Sequence, residues 1–136
     1  MLLLDTTTRS LELKLDGAVV TTEPPFVTSW VDVDQTTFEM TASSETNGTT
    51  NGSTAVTVVA APGASKTRKL NYLSVVNVDT AVVVVTVQVN DNGTKRISFK
   101  VSLQVGDQLV FISAHGWSVY TTNGAIKATF PGLALF

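Results

Sequence analysis

The chain has 136 residues with 9 basic and 11 acidic side chains, a formal net charge of −2 and no cysteine. This length fits one domain with a sizeable core, and the missing cysteines exclude a disulfide framework and thiolate metal sites. Nucleic acid is not an expected partner, because a polyanion is bound through an excess of Lys and Arg. Threonine and valine are abundant, and such β-branched residues favour a pleated, half-buried surface.

The chain opens with MLLLDTTTRS, which has three leucines and no basic leader. We therefore expect no secretory signal, and a protein that is made inside the cell rather than secreted. The longest apolar run, residues 81–85, is far shorter than the roughly twenty residues that span a bilayer, so no membrane association is expected. We interpret residues 1–9 as an N-terminal arm, and its candidate partner contacts are Leu2, Leu3 and Leu4.

The first predicted strand covers residues 10–15, where Leu11, Leu13 and Leu15 alternate with polar residues. This period of two predicts a strand with one apolar face and one solvent-exposed face. Two successive prolines then remove backbone donors, so residues 26–33 are expected to form an edge strand or a new element.

The middle of the chain is predicted to alternate loops and strands. Residues 43–53, SSETNGTTNGS, contain two Asn-Gly pairs and no large apolar side chain, which predicts a loop. Strand composition returns over residues 54–60, and a strand over 70–78 follows a second loop, APGASKTRK. The basic side chains of that second loop are Lys66, Arg68 and Lys69. They have two open interpretations, a contact with an acidic surface or phosphate, or protection of a sheet edge.

A β-hairpin is predicted in AVVVVTVQVNDNGTKRISFKVSL. A three-residue loop over 91–93, with Gly93 left-handed, would make every cross-strand partner on one face apolar. A two-residue turn would instead oppose Val89 and Arg96, so the hydrophobic pattern favours the longer loop. The expected pairs are Val87 with Ile97, Val85 with Phe99, and Val83 with Val101.

Short strands over residues 108–112, 117–120 and 125–127 complete the pattern, with turn signals between them. No stretch has an apolar stripe of helical period. The sequence therefore predicts an all-β fold, a single antiparallel β-sandwich over residues 1–136 that is jelly-roll-like and has about eight strands.

Side chains with catalytic potential are sparse. The single histidine, His115, lacks a nucleophile and partners for a triad. Asp32 and Asp34 share a strand face and would suit a cation or a hydrolase, but a solvated face is the favoured interpretation because no third ligand has a suitable spacing. We expect no enzyme, no cofactor and no metal.

The C-terminal tail, residues 128–136, is apolar and interrupted by Pro-Gly. Leaving its large side chains in water would cost about 2 kcal/mol each. They therefore either cover the edge of the chain's own sandwich or contact a neighbouring subunit. The candidate contacts are Phe130, Leu133, Leu135 and Phe136.

Residues 69–127 resemble the C-terminal half of small β-rich virion proteins of tailed bacteriophages. The shared features are turn motifs: Val76-Asn77, the hairpin at 91–93, the Leu-x-x-Gly-Asp turn at 103–107 and the Gly-Trp-x-Val run at 116–124. Within that group the chain looks most like head decoration, or cement, proteins.

The resemblance implies a virion location and a dimer or trimer that binds the major capsid protein. Contacts are expected from both termini, the 43–53 loop, the basic side of the hairpin, and Lys66, Arg68 and Lys69. Neck, tail or tail-fibre roles are the alternatives. A fibre role would include carbohydrate binding, with stacking on Trp30, Trp117, Tyr72 or Tyr120. Core packing is the favoured interpretation of these rings, because Trp117 and Tyr120 lie in short alternating strands.

Overall fold

The computed structural model describes residues 2–130, which form eleven strands and no helix. The strands are β1 (Leu2–Leu4), β2 (Arg9–Leu15), β3 (Pro25–Asp34), β4 (Ser44–Thr49), β5 (Val56–Val59), β6 (Lys66–Val76), β7 (Val83–Asp91), β8 (Thr94–Leu103), β9 (Gln108–Ile112), β10 (Gly116–Tyr120) and β11 (Ile126–Phe130).

The strands form two antiparallel sheets packed face to face. Sheet A has the order β11-β10-β9-β6-β3-β4, with β1 also paired to β6, and sheet B has the order β5-β2-β7-β8. Many connections pass from one sheet to the other, as in Greek-key sandwiches. The predicted all-β sandwich is confirmed, with eleven strands rather than eight.

One apolar core lies between the sheets. Leu11, Leu13 and Leu15 of β2 are almost fully buried there, as their alternation predicts. The opposite face of the same strand, expected to be solvent-exposed, is only partly exposed, because Glu12 is buried as well. At one side the core ends in aromatic rings: Phe99 of β8 stacks on Trp117 of β10 with centroids 4.7 Å apart.

The predicted loop over residues 43–53 is wrong, because β4 occupies most of it. This edge strand pairs with β3 and places Gly48 opposite Phe26. A Cβ at position 48 would lie 3.2 Å from Cζ of Phe26. The glycine therefore makes room for a core aromatic ring rather than forming a turn.

Strand β6 begins four residues before the predicted start at residue 70. The basic cluster is therefore part of a strand, not of a loop. The pairing of β6 with β3 extends to Lys66, which lies opposite Asp34. The other edge of β6 is shared, since β9 pairs with its C-terminal half and β1 with its N-terminal half.

The β7–β8 hairpin exists, but its predicted loop and register are wrong. Asp91 pairs with Thr94, so Asn92 and Gly93 form a two-residue turn, and both have positive φ. A bulge beside Val87 then shifts the register by one residue. The pairs beyond it are Val87 with Phe99, Val85 with Val101, and Val83 with Leu103. The turn and the apolar pattern are thus both satisfied.

A cluster of turns joins the end of β6 to the start of β9. The buried Asn77 side chain donates to the carbonyls of Ala81 and Leu103, each at 3.0 Å. The backbone amide of Asn77 donates to the carbonyl of Asp107, and the amide of Gly106 donates back to Asn77, both at 2.9 Å. Lys127 of β11 reaches the Asp107 carboxylate at 2.7 Å. The cluster therefore fixes the position of β9 to β11.

Candidate binding surface

An apolar groove lies on the outer face of sheet A, over β9, β10 and β11. Its volume is about 300 Å³. Among the described residues that line it there is no Asp, Glu, Lys or Arg. They are Val110, Ile112, His115, Gly116, Ser118, Tyr120, Ile126 and Thr129. The groove can accept an apolar or aromatic group.

The groove exists because β9 is apolar on both faces. Leu109 and Phe111 point into the core, while Val110 and Ile112 point outward. Ile112 is 38% exposed and Ile126 is 64% exposed. This surface was not predicted from the sequence, although the continuous run QLVFI is the type of signal that a strand covered on both faces gives.

A second exposed apolar surface is the β3–β4 loop, where Phe38 is 75% and Met40 64% exposed. Asp34 fixes this loop, since its carboxylate accepts the amides of Thr36 and Thr37 and its carbonyl accepts the amide of Phe38. Phe38 has φ +61°, a strained conformation for a bulky residue. The loop therefore presents an aromatic ring from a rigid support.

The basic cluster is mostly neutralised within the chain. Arg68 makes a bidentate contact with Asp32 at 2.7 and 2.8 Å and lies 5.0 Å from the ring centre of Trp30. Lys66 contacts Asp34 at 3.0 Å. Lys69, on β6, lies opposite Leu3. Arg68 and Lys66 are thus cross-strand partners of Asp32 and Asp34, whereas Lys69 lies between apolar residues of β1 and β3.

The pKa directions follow from these contacts. The Arg68 guanidinium lowers the pKa of Asp32. The amide of Thr37, the Lys66 ammonium and the amide of Thr36 together hold the pKa of Asp34 well below its ordinary range. Both carboxylates are therefore stabilised as anions.

The N-terminal arm forms strand β1 on the chain's own sheet. Leu4 is buried in the core at 3% exposure, and Leu2 packs against the core. Only Leu3 is open, at 46%. Of these three sequence candidates, Leu3 alone presents a largely exposed side chain.

The tail candidates divide at residue 130. The prediction that regular strand ends at residue 127 is wrong, because β11 continues to Phe130. The Phe130 ring packs edge-on against Phe99 at 5.2 Å and remains 40% exposed. Leu133, Leu135 and Phe136 lie outside the described residues.

The candidate sugar-stacking aromatics fall into two groups. Trp30 and Trp117 pack in or against the core. Tyr72 and Tyr120 are half-buried on the outer face of sheet A, where Tyr120 lines the groove and Tyr72 lies across from Ile112.

Known proteins give no guide to this surface: no family model, no curated protein and no solved structure matches the chain. Within residues 2–130 no three His, Asp or Glu side chains are grouped to hold a metal ion. The described part of the chain also has no helix that is long and apolar enough to cross a bilayer.

Proposed function

We propose that the chain is a non-enzymatic structural protein of a phage virion, a decoration protein that binds the outside of the head and bridges major capsid subunits. The observation that carries the proposal is the β3–β4 loop, in which Phe38 and Met40 project from a strained turn that Asp34 holds in place. Exposed aromatic and Met side chains on a rigid support are typical of residues that dominate binding energy at interfaces.

The resemblance to virion proteins supports the same class. Its Asn, Leu-x-x-Gly-Asp and Gly-Trp motifs lie in strands and turns. In the turn cluster the backbone amide of Asn77 donates to the carbonyl of Asp107, and the Asn77 side chain donates to the carbonyl of Leu103. These residues build a stable sandwich rather than a reaction centre. A decoration protein needs that property, because its work is to add contact area between subunits.

The mechanism is mass action. A dimer or trimer of the sandwich would span a seam between capsid subunits, and each bound copy would shift the equilibrium toward the assembled shell. Exposed Leu3 and Phe130, the 43–53 segment, Lys69, and the tail residues Leu133, Leu135 and Phe136 are the further proposed contacts. Lys66 and Arg68 would contribute less, since their charges already have partners.

The test is binding to undecorated phage heads. Phe38→Asn removes the ring and keeps a residue that tolerates positive φ, so the fold should persist. We expect at least a tenfold loss of affinity. The matched control is Val20→Asn, which changes another exposed apolar residue in a different loop. Equal affinities for the wild-type chain and both variants would remove this loop from the interface.

A tail-fibre role with carbohydrate binding is the second candidate. It is favoured by one observation, the position of Tyr120 in a groove that also offers hydroxyls from Ser118 and Thr129. A glycan array probed with the full chain and with a chain that ends at Phe130, in which residues 131–136 cannot occupy the groove, distinguishes the two roles. Selective binding that Tyr120→Ala abolishes would support the fibre role, and uniform absence of sugar binding would exclude it.

A further inference from the structure

We infer that the apolar groove over β9 to β11 is a docking site for residues 131–136 of the same chain. In the free protein this segment, PGLALF, would cover the groove. The inference concerns the isolated chain and does not depend on the capsid proposal, whose main contact is the β3–β4 loop; tail residues that also contact a capsid would have to leave the groove on binding.

The place where the described chain ends supports this occupant. Phe130 pairs with Trp117 of β10, directly beside Gly116 at one end of the groove. The preceding residue, Thr129, lines the groove itself. Strand β11 therefore ends beside the apolar groove.

The length also fits. Along β10 the groove extends from Gly116 to Tyr120, which corresponds to about 13 Å of strand at roughly 3.3 Å per residue. Residues 131 and 132 are Pro and Gly, the residue types that a type II turn favours at its two central positions. Four residues, as many as residues 133–136 supply, can span about 13 Å of chain at most.

The chemistry of the two surfaces is complementary. The segment contributes Leu133, Leu135 and Phe136, and the groove offers Val110, Ile112 and Ile126 without an opposing Asp, Glu, Lys or Arg among its lining residues. Covering both apolar surfaces together removes them from water. The chain's own segment is favoured over that of a second copy, because a short connection gives an effective concentration on the order of millimolar.

Isoleucine methyl NMR can test this, because the chain has only three isoleucines. Ile112 and Ile126 line the groove, whereas Ile97 is an exposed residue of β8 in sheet B and serves as the internal control. In Phe136→Ala the full chain is retained and one aromatic ring is lost. We expect the Ile112 and Ile126 δ1 signals to shift by a few tenths of a ppm, and the Ile97 signal to stay fixed.

A chain that ends at Phe130 should show the same two shifts, and both should be independent of protein concentration. If neither signal responds to either change, the groove does not hold this segment. If the shifts grow with protein concentration, the occupant is the segment of a second copy, and the inference is wrong. Neither result bears on the capsid assay of Phe38.

Discussion

The outer faces of the two sheets differ in how their outward-facing side chains are paired or covered. On sheet B the buried Glu12 carboxylate accepts from Gln88 at 2.9 Å, Asn90 at 2.8 Å and Lys95 at 2.7 Å. On sheet A the corresponding outward surface over β9 to β11 is an apolar groove, with Ile126 64% exposed. The polar groups around Glu12 on sheet B are thus paired within the chain, whereas apolar side chains of the groove on sheet A remain exposed.

This difference indicates where a binding partner or the chain's own tail is needed. A polar network whose donors and acceptors are paired gains little from further contact. An exposed apolar surface gains free energy from any cover that fits it. We therefore expect changes on sheet B to affect stability and changes in the groove to affect binding, and the predictions below test that division.

The largest effect should come from the turn cluster that supports the groove strands. Gly106 has φ +83°, and a Cβ there would lie 2.0 Å from Oγ1 and 3.1 Å from Cβ of Thr122. We expect Gly106→Ala to lower the free energy of unfolding by about 3 kcal/mol or more, from backbone strain and a clash together. Chemical denaturation measures this change.

Gly124→Ala is the matched control, because Gly124 has φ +79° and open space around its Cβ position. It should cost only about 1 kcal/mol, from the left-handed backbone alone. Equal losses for the two variants would contradict the clash with Thr122.

On sheet B, Glu12→Ala would leave the buried amide of Gln88 and the Asn90 amide without their acceptor. We expect a loss of about 2–3 kcal/mol in the free energy of unfolding. Glu45→Ala, at an exposed position of β4, should change it by less than about 0.5 kcal/mol. A small effect of the Glu12 change would mean that the polar face does not stabilise the sheet.

The pH dependence of the same residue gives a sharper test. Burial raises the pKa of Glu12, but hydrogen bonds from Lys95, Gln88 and Asn90 outweigh it, and the net pKa lies below the ordinary 4.5. The stability from this shift is present above pH 4.5 and is lost as the pH falls through the folded-state pKa. The stability gap between wild type and Glu12→Gln should therefore narrow from pH 7 to pH 3. A constant gap would contradict it.

Thr86 is the exception on sheet B, because its buried Oγ1 has no hydrogen-bond partner within the described residues. Replacing this hydroxyl with a methyl group removes an unpaired polar atom at nearly constant volume. We expect Thr86→Val to raise the midpoint of thermal unfolding by a few degrees. A lower midpoint would show that the hydroxyl is bonded in solution.

The smallest stability effect should be found in the groove. Ile126→Thr alters a side chain that is mostly exposed, so the free energy of unfolding of a chain ending at Phe130 should change by less than about 0.5 kcal/mol. In the full chain the same substitution should weaken the contact with the tail and reduce the shift of the Ile112 methyl signal on removal of residues 131–136. A large loss in the shorter chain would contradict the division between the two faces.

Local patterns predict a strand well where one of its faces is buried. They fail where a segment becomes a strand only because it pairs with a neighbouring strand. The alternation of Leu11, Leu13 and Leu15 identified β2. Nothing apolar marks β4, which exists because β3 offers a free edge and Phe26 needs the space above Gly48. The predicted hairpin register is wrong for a related reason. A bulge beside Val87 allows the two-residue Asn-Gly turn and the apolar cross-strand pairs to occur together.

The candidate surface was predicted only in part. Asp32, Asp34, Lys66 and Arg68 were recognised as two separate charged clusters, but their pairing depends on the register between β3 and β6. The groove depends on which face of β9 to β11 turns away from sheet B, and no local pattern fixes that for strands with apolar residues on both faces.

By itself the sequence determined an all-β sandwich, the position of the β7–β8 hairpin and the apolar character of its ends, because each depends on residue type and on spacing along one segment. Only the tertiary structure decided which strands lie side by side, which charges neutralise one another, that the N-terminal leucines join the chain's own sheet, and that a groove lies where β11 ends at Phe130. The physical reason is that pairing and burial are properties of two segments at once. Their free energy becomes defined only when both segments are in place.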